Sequence, residues 1–205
     1  MASGKYSHSE GYETVAKGES SHSEGRSTIA EGNNSHAEGS GTKTIADNAH
    51  AEGNSCEAGN TGHAEGYNTK AIPAEGKWIA HAEGMGTLAS GTASHAEGNG
   101  TVASGDYSHA GGIGTIAKYE AQTVVGKYND LYKFDNVFDA VQERPLFVVG
   151  CGDGEDKFIY TGGSPLRSEQ HRRNAFEVYE DGSISLGDVK ITPAQLQALL
   201  NLIQE

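Results

Sequence analysis

The chain has 205 residues, 29 of them glycine, and a formal net charge of −13. That acidity excludes a phosphate-reading surface, which needs a basic footprint. Aromatic residues make up only 7% and fall mostly after Gly114, so the first half lacks the side chains that fill an ordinary core.

From the N-terminus onward the chain is a repeat. Eight histidines mark it: His8, His22, His36, His50, His63, His81, His95 and His109. A glycine follows each at the third position, from Gly11 to Gly112. Between them stands a glutamate in seven units, Glu10, Glu24, Glu38, Glu52, Glu65, Glu83 and Glu97, with Gly111 in the eighth. A looser second half reads Thr-Val-Ala-Lys-Gly from Thr14 and returns from Thr28, Thr87 and Thr101. The consensus is S-H-A-E-G-x-x-T-h-A-x-G-x-x, with h apolar.

Both five-residue segments alternate with period two, as strand side chains alternate between faces. Ser, Ala and Gly share one face and His and Glu the other. In the second segment Thr, Ala and Gly oppose h and a variable residue. Glycine every seven residues excludes a helix. The expected fold is therefore all-β, a parallel β-solenoid of 14-residue coils with like residues stacked about 4.8 Å apart. The small-residue face points inward and leaves almost no core. Ordering each residue costs roughly 1–2 kcal/mol of backbone entropy, which Ala and Thr methyls do not offset, so one outer face needs a partner. For identical chains that partner is a symmetric homo-oligomer.

The unit resembles the head repeat of YadA-like trimeric adhesins, whose S-V-A-I-G strand, turn and S-x-A-x-G strand share its small-residue positions. The resemblance covers roughly Ser7 to Ala117 and implies a left-handed parallel β-roll, three chains to a trimer. The departure is that the family's Val and Ile are His and Glu here. Similar S-H-A-E-G arrays resemble tail-fibre and receptor-binding proteins of phages and phage-like particles.

Two faces compete for the expected trimer axis. Hydrophobicity favours h: Val15, Ile29, Leu88, Val102 and Ile116. Uniformity favours the His/Glu face, because the residues beside h (Lys17, Glu31, Ser90, Ser104) vary as solvent permits. The expectation is a structural ladder of His8 to His109 and Glu10 to Glu97 at the axis, a His of one chain reaching a Glu of another. Three imidazoles around an axis could hold an ion, but eight uniform levels read as architecture, so no metal or cofactor is expected. The long unit from His63 to Ala80 carries Pro73 and Trp78, and should bulge outward. Trp78 is a candidate receptor contact, against the alternative of a loop packed on its own coil.

The repeat ends near Ala117, giving a β-roll over 1–117, a β-domain over 118–190 and a helix over 191–205. Lys118 to Tyr128 reads as a transition strand and Leu146 to Gly150 as a buried one. Ser168 to Arg173 reads as a polar connection, and Ala175 to Leu186 as a hairpin turning at Asp181-Gly182. This stretch resembles small β-domains at the ends of phage tail proteins. The run Gly150 to Gly154 is a glycine-rich turn rather than a dinucleotide loop, since no fingerprint helix follows. Cys151 with His171 reads as a core thiol and a surface imidazole rather than a nucleophile pair. Thr192 caps a helix with Pro193 at its first position and a Leu196, Leu199, Leu200, Ile203 stripe. That stripe packs either on the trimer axis or on the chain's own β-domain.

MASGKYSHSEG has no apolar leader and no run approaches the roughly 18 residues of a span, so neither a secretory leader nor membrane insertion is expected. Cys56 and Cys151 make no disulfide framework. The functional expectation is a non-enzymatic, homotrimeric fibre module in the tail of a phage or phage-like particle. Its partners would be a host-surface glycan or protein and a neighbouring tail or baseplate protein. A bacterial trimeric surface adhesin is the alternative. A tailspike-like glycan hydrolase is another, and would need one distinct carboxylate pair that a uniform repeat does not single out.

Overall fold

The computed structural model describes residues 1–129, 144–152 and 172–203. The chain winds into a β-solenoid of about nine coils, followed by an antiparallel ribbon and a short helix. Each coil contributes one long strand, such as His22–Arg26, and one short strand, such as Ile29–Ala30. The long strands form one parallel sheet and the short strands a second, eight-stranded one. Register is like on like: His22 over His36, Glu24 over Glu38, Gly25 over Gly39. Register of this kind follows from a fixed period, because a one-residue slip would carry every side chain to the wrong face.

The interior is built of Ala, Thr and Ser. Ala30, Ala37, Ala82, Ala96 and Ala103 are fully buried, as are Thr28, Thr42 and Thr101. Several of the hydroxyls find partners inside the coil, while the Oγ1 atoms of Thr69, Thr87 and Thr101 are buried without one. Ser21, Ser35, Ser94 and Ser108 each donate to the carbonyl of a glycine three residues back, at 2.7–2.8 Å. Thr28 and Thr42 donate to Glu24 and Glu38 carbonyls at 3.1 and 3.0 Å. Cys56 replaces a threonine and is the buried thiol.

One glycine of each coil does not lie where alternation put it. The glycine of the S-H-A-E-G strand is exposed rather than interior, for example Gly84. Its backbone is left-handed (φ 101°), and a Cβ there would collide with the carbonyl oxygen of Gly98 in the next coil. The chain turns a corner at this column, and the backbones of adjacent coils touch. Gly86, two residues on, is also left-handed (φ 64°) but meets nothing within 4 Å. Ser27 and Asn68 hold the equivalent position with φ 55° and 52°.

The h column is less apolar than the consensus. Lys43, Glu57 and Lys70 stack between Ile29 and Leu88. They make surface ion pairs, Lys43 to Glu31 at 3.3 Å and Lys70 to Glu57 at 3.7 Å.

The sheet does not break at 117. Thr123–Lys127 adds to His109–Ile113 in parallel, and Pro145–Cys151 adds to Thr123–Lys127. Then the direction reverses, with Asn174–Tyr179, Ile184–Leu186 and Val189–Ile191 completing a 13-stranded sheet. The hairpin turns at Gly182 (φ 78°), as its Asp-Gly pair implied. Asn129 closes the short-strand sheet by pairing with the Ile116 backbone at 2.8 and 3.1 Å. Arg172, buried, donates to the carbonyls of Gly114 and Asn129. A solenoid end needs such a cover for its open backbone. The Pro193–Ile203 helix starts with a reciprocal cap: the Gln195 amide donates to Thr192 Oγ1, and the Thr192 amide donates to Gln195 Oε1.

Gly84→Ala is expected to abolish the cooperative β-sheet melt, because backbone must move to admit the methyl. Gly86→Ala is expected to cost only about 1 kcal/mol, the ordinary penalty of a left-handed alanine. Thermal melts followed by circular dichroism check both.

Candidate functional site: the His/Glu ladder

The eight histidines and seven glutamates stand on the outer face of the long-strand sheet, as the alternation requires. Rings from His22 to His109 stack with centroids 4.7–5.1 Å apart and planes within 8° of parallel. His8 alone is turned, 67° from His22. Stacked rings attract by about 0.5–1.5 kcal/mol per pair beyond the area they bury. The glutamates form a parallel column beside them. With the glycine column they line an open groove of about 730 Å³ along the middle coils.

Histidine meets glutamate within one chain, where the sequence suggested a Glu of another chain. From His8 to His63 each Nε2 faces the Glu of its own coil, at 3.2 Å for His8–Glu10, lengthening to 4.0 Å for His63–Glu65. Beyond the long unit the pairing changes coil. His95 faces Glu83 at 3.7 Å and His109 faces Glu97 at 3.2 Å. His81 sits at the changeover, and among the described residues no carboxylate lies within ion-pair reach of it. Most of these distances exceed a hydrogen bond. The Nε2 atoms of His22, His36, His50, His63, His81 and His95 are buried without a hydrogen-bond partner.

The electrostatics follow from stacking like on like. Burial, then the neighbouring imidazoles, holds His50 and His95 below the ordinary histidine range. His81 is lowered for the same reasons. The carboxyl of Glu52 is pushed up to about 7, first by the hydrogen bond it shares with Glu65 and then by burial. Glu83 is raised by its bond to Glu65, and Glu65 is lowered because it accepts from Glu52. Carboxyls stacked this closely hydrogen-bond to one another, which favours a shared proton around Glu52, Glu65 and Glu83.

The two columns do not end with the repeat; they turn apolar. The His column continues as Thr123, Phe147, Val178, Ile184 and Ile191. The Glu column continues through Val125 as Val149, Phe176, Leu186 and Val189. The Leu146 to Gly150 strand is thus only half buried: Val148 is inside, while Phe147 and Val149 lie on the outer face. Leu186 and Val189 are 55% and 62% exposed. Among the described residues nothing buries the helix stripe, and Leu196, Leu199, Leu200 and Ile203 are all exposed. The period revealed the ladder. The continuation was hidden because residues 130–143 separate the last two rungs, and only the register Thr123 over Phe147 aligns them.

Other expected sites resolve differently. Trp78 is 57% exposed on the enlarged turn, held there by a bond from the Ala93 amide to its carbonyl at 2.9 Å and by Lys77 pairing with Asp106 at 2.7 Å. Cys151 is exposed, contrary to the core position expected for it, because it stacks over the exposed Lys127. His171 and the Ser168–His171 connection lie outside the described residues, as do Asp153 and Gly154. The repeated serine and histidine point to opposite faces, so they form no nucleophile pair. No helix among the described residues is long and apolar enough to cross a membrane. No family model, curated protein or solved structure matches the chain.

Glu52→Gln tests the shared proton. A carboxyl raised from 4.5 to about 7 stabilises the fold below pH 4.5, and that contribution is lost as pH rises through 7. The melting temperature of the variant, relative to the parent, is expected to climb between pH 4.5 and pH 8. A difference that stays flat with pH would remove the proton-sharing column.

Proposed function

We propose that this chain is a structural and binding module: a homotrimeric fibre segment with its His/Glu face along the threefold axis. It is the kind of segment that a phage or phage-like tail uses to position, or to form, the surface that meets a host cell. The observation that carries the reading is the continuous face that changes from His and Glu to Phe, Val, Leu and Ile. Ten residues of one sheet face, from Thr123 to Ile191, continue the columns, and all but Thr123 are apolar. A row of this length left in water marks an interface. It runs from the ladder to an amphipathic helix whose leucines have no cover among the described residues. Copies of the same chain supply like columns at matching height, so a closed ring would bury ladder, ribbon and helix together.

The opposite face supports the same choice. Lys43, Glu57 and Lys70 interrupt the h column, and exposed ion pairs of that sort contribute about 0–1 kcal/mol each. A solvent face tolerates such residues; a packed axis does not. The threefold number comes from the resemblance of the units to YadA-like heads. The role is supported by shape and uniformity: eight repeat units at about 4.8 Å make a stiff spacer of roughly 40 Å, with Trp78 and Tyr107 exposed on its turns.

Light scattering tests the assembly. At pH 7.5 the mass is expected to be about 64 kDa, three times the 21.5 kDa chain. It should fall near pH 4.5, because burial and neighbouring imidazoles already disfavour the charged forms of His50, His81 and His95 at that face. Val149→Glu with Leu186→Glu should give a 21.5 kDa particle at pH 7.5. A wild-type monomer at pH 7.5 overturns the reading.

A further inference from the structure

We infer that His81, Glu83 and His95 form a binding site for a divalent transition-metal ion of the zinc class. One donor atom from each lies within 4.8 Å of the others. The two imidazoles come from adjacent coils and their rings are stacked 4.8 Å apart, centroid to centroid. Both Nε2 atoms are buried and accept no hydrogen bond. The Glu83 carboxylate stands beside them, 3.7 Å from His95 Nε2. An imidazole whose Nδ1 carries the proton presents its Nε2 lone pair, and here two such nitrogens lie side by side next to a carboxylate oxygen, so that a tilt of the two parallel rings toward each other would aim both at one ion.

A zinc ion bound at about 2.0–2.2 Å to each donor needs those donors roughly 3.3–3.6 Å apart. Reaching that spacing takes on the order of 1 Å from each side chain, all on an open outer face. Two nitrogens and one oxygen suit Zn²⁺, Ni²⁺ or Co²⁺ and not Ca²⁺ or Mg²⁺, which take oxygen shells. The position within the ladder is particular. His81 is where pairing shifts from the same coil to the next, so its nitrogen is left over. The glutamates also need a cation: Glu65, Glu83 and Glu97 stack with no Lys or Arg in their column, and like charges directly opposite destabilise a sheet. Similar groups recur at Glu52, His63, Glu65 and at Glu24, His36, Glu38, each with one imidazole fewer.

The site is complete within one chain and does not rest on the trimer. The test is the zinc content of the full chain after dialysis against Zn²⁺ and then metal-free buffer at pH 7.5. Wild type is expected to retain zinc, and His95→Asn to hold about one ion fewer per chain. Glu83→Gln, which keeps the shape of the column, should show the same loss, and His8→Asn, at the turned end of the ladder, none. With Co²⁺ in place of Zn²⁺, wild type should develop visible absorption that His95→Asn lacks. A wild type that retains no zinc, or variants at 83 and 95 that retain as much as wild type, overturns the site. Light scattering on the same samples reads assembly separately: a monomer that holds zinc would sink the trimer and leave the site standing.

Discussion

Backbone lies directly on backbone where successive coils meet at their corner glycines, and the rest of the molecule follows from that contact. Gly84 and Gly98 leave no room for a methyl between them. So close a stack forces an identical path on every coil, and an identical path forces like residues over like. The same thinness limits the interior to Ala, Ser and Thr. A coil of this kind satisfies its hydrogen bonds well but buries little apolar area, at roughly 25 cal/mol per Å². Its stability has to be found on the outside.

Stacking like on like is harmless for alanine and costly for ionisable groups. Eight imidazoles and seven carboxylates in two columns meet that cost in three ways. The rings from His22 onward stack flat, His50, His81 and His95 are held below the ordinary histidine range, and the raised Glu52 shares a hydrogen bond with the lowered Glu65. None of these supplies the six buried Nε2 atoms with a partner. A ladder so arranged is pre-set for something that brings positive charge or hydrogen-bond donors to it. A neighbouring chain and a bound cation both answer that description, and they need not exclude each other.

The C-terminal part shows the same face solving the problem differently. Once residues with larger side chains are available, the columns carry Phe147, Val149, Phe176 and Val178, and the interior position is filled by Val148 rather than alanine. Buried polar groups at this end carry the closure: Glu177 accepts from Asn174 and Tyr179, and Arg172 donates through Nη1 to the Gly114 and Asn129 carbonyls. The apolar surplus therefore lies on the outer face and not inside.

Period and strand alternation were legible in the residues themselves, because a 14-residue repeat with glycines at fixed places admits one kind of stacking. The two ladders were legible for the same reason, and so was the cap at Thr192. Three things were not. The corner glycine faces outward because its positive φ breaks the alternation that sequence reasoning extends through it. The pairing of His with Glu changes coil at His81, which depends on side-chain rotation around an enlarged turn and leaves no trace in the repeat. The last rungs join the ladder only through the parallel register of Thr123–Lys127 with Pro145–Cys151. That pairing brings together segments about twenty residues apart, with neither histidine nor glutamate to mark them. Local geometry is written in the repeat; which face stays uncovered is decided by contacts between distant strands.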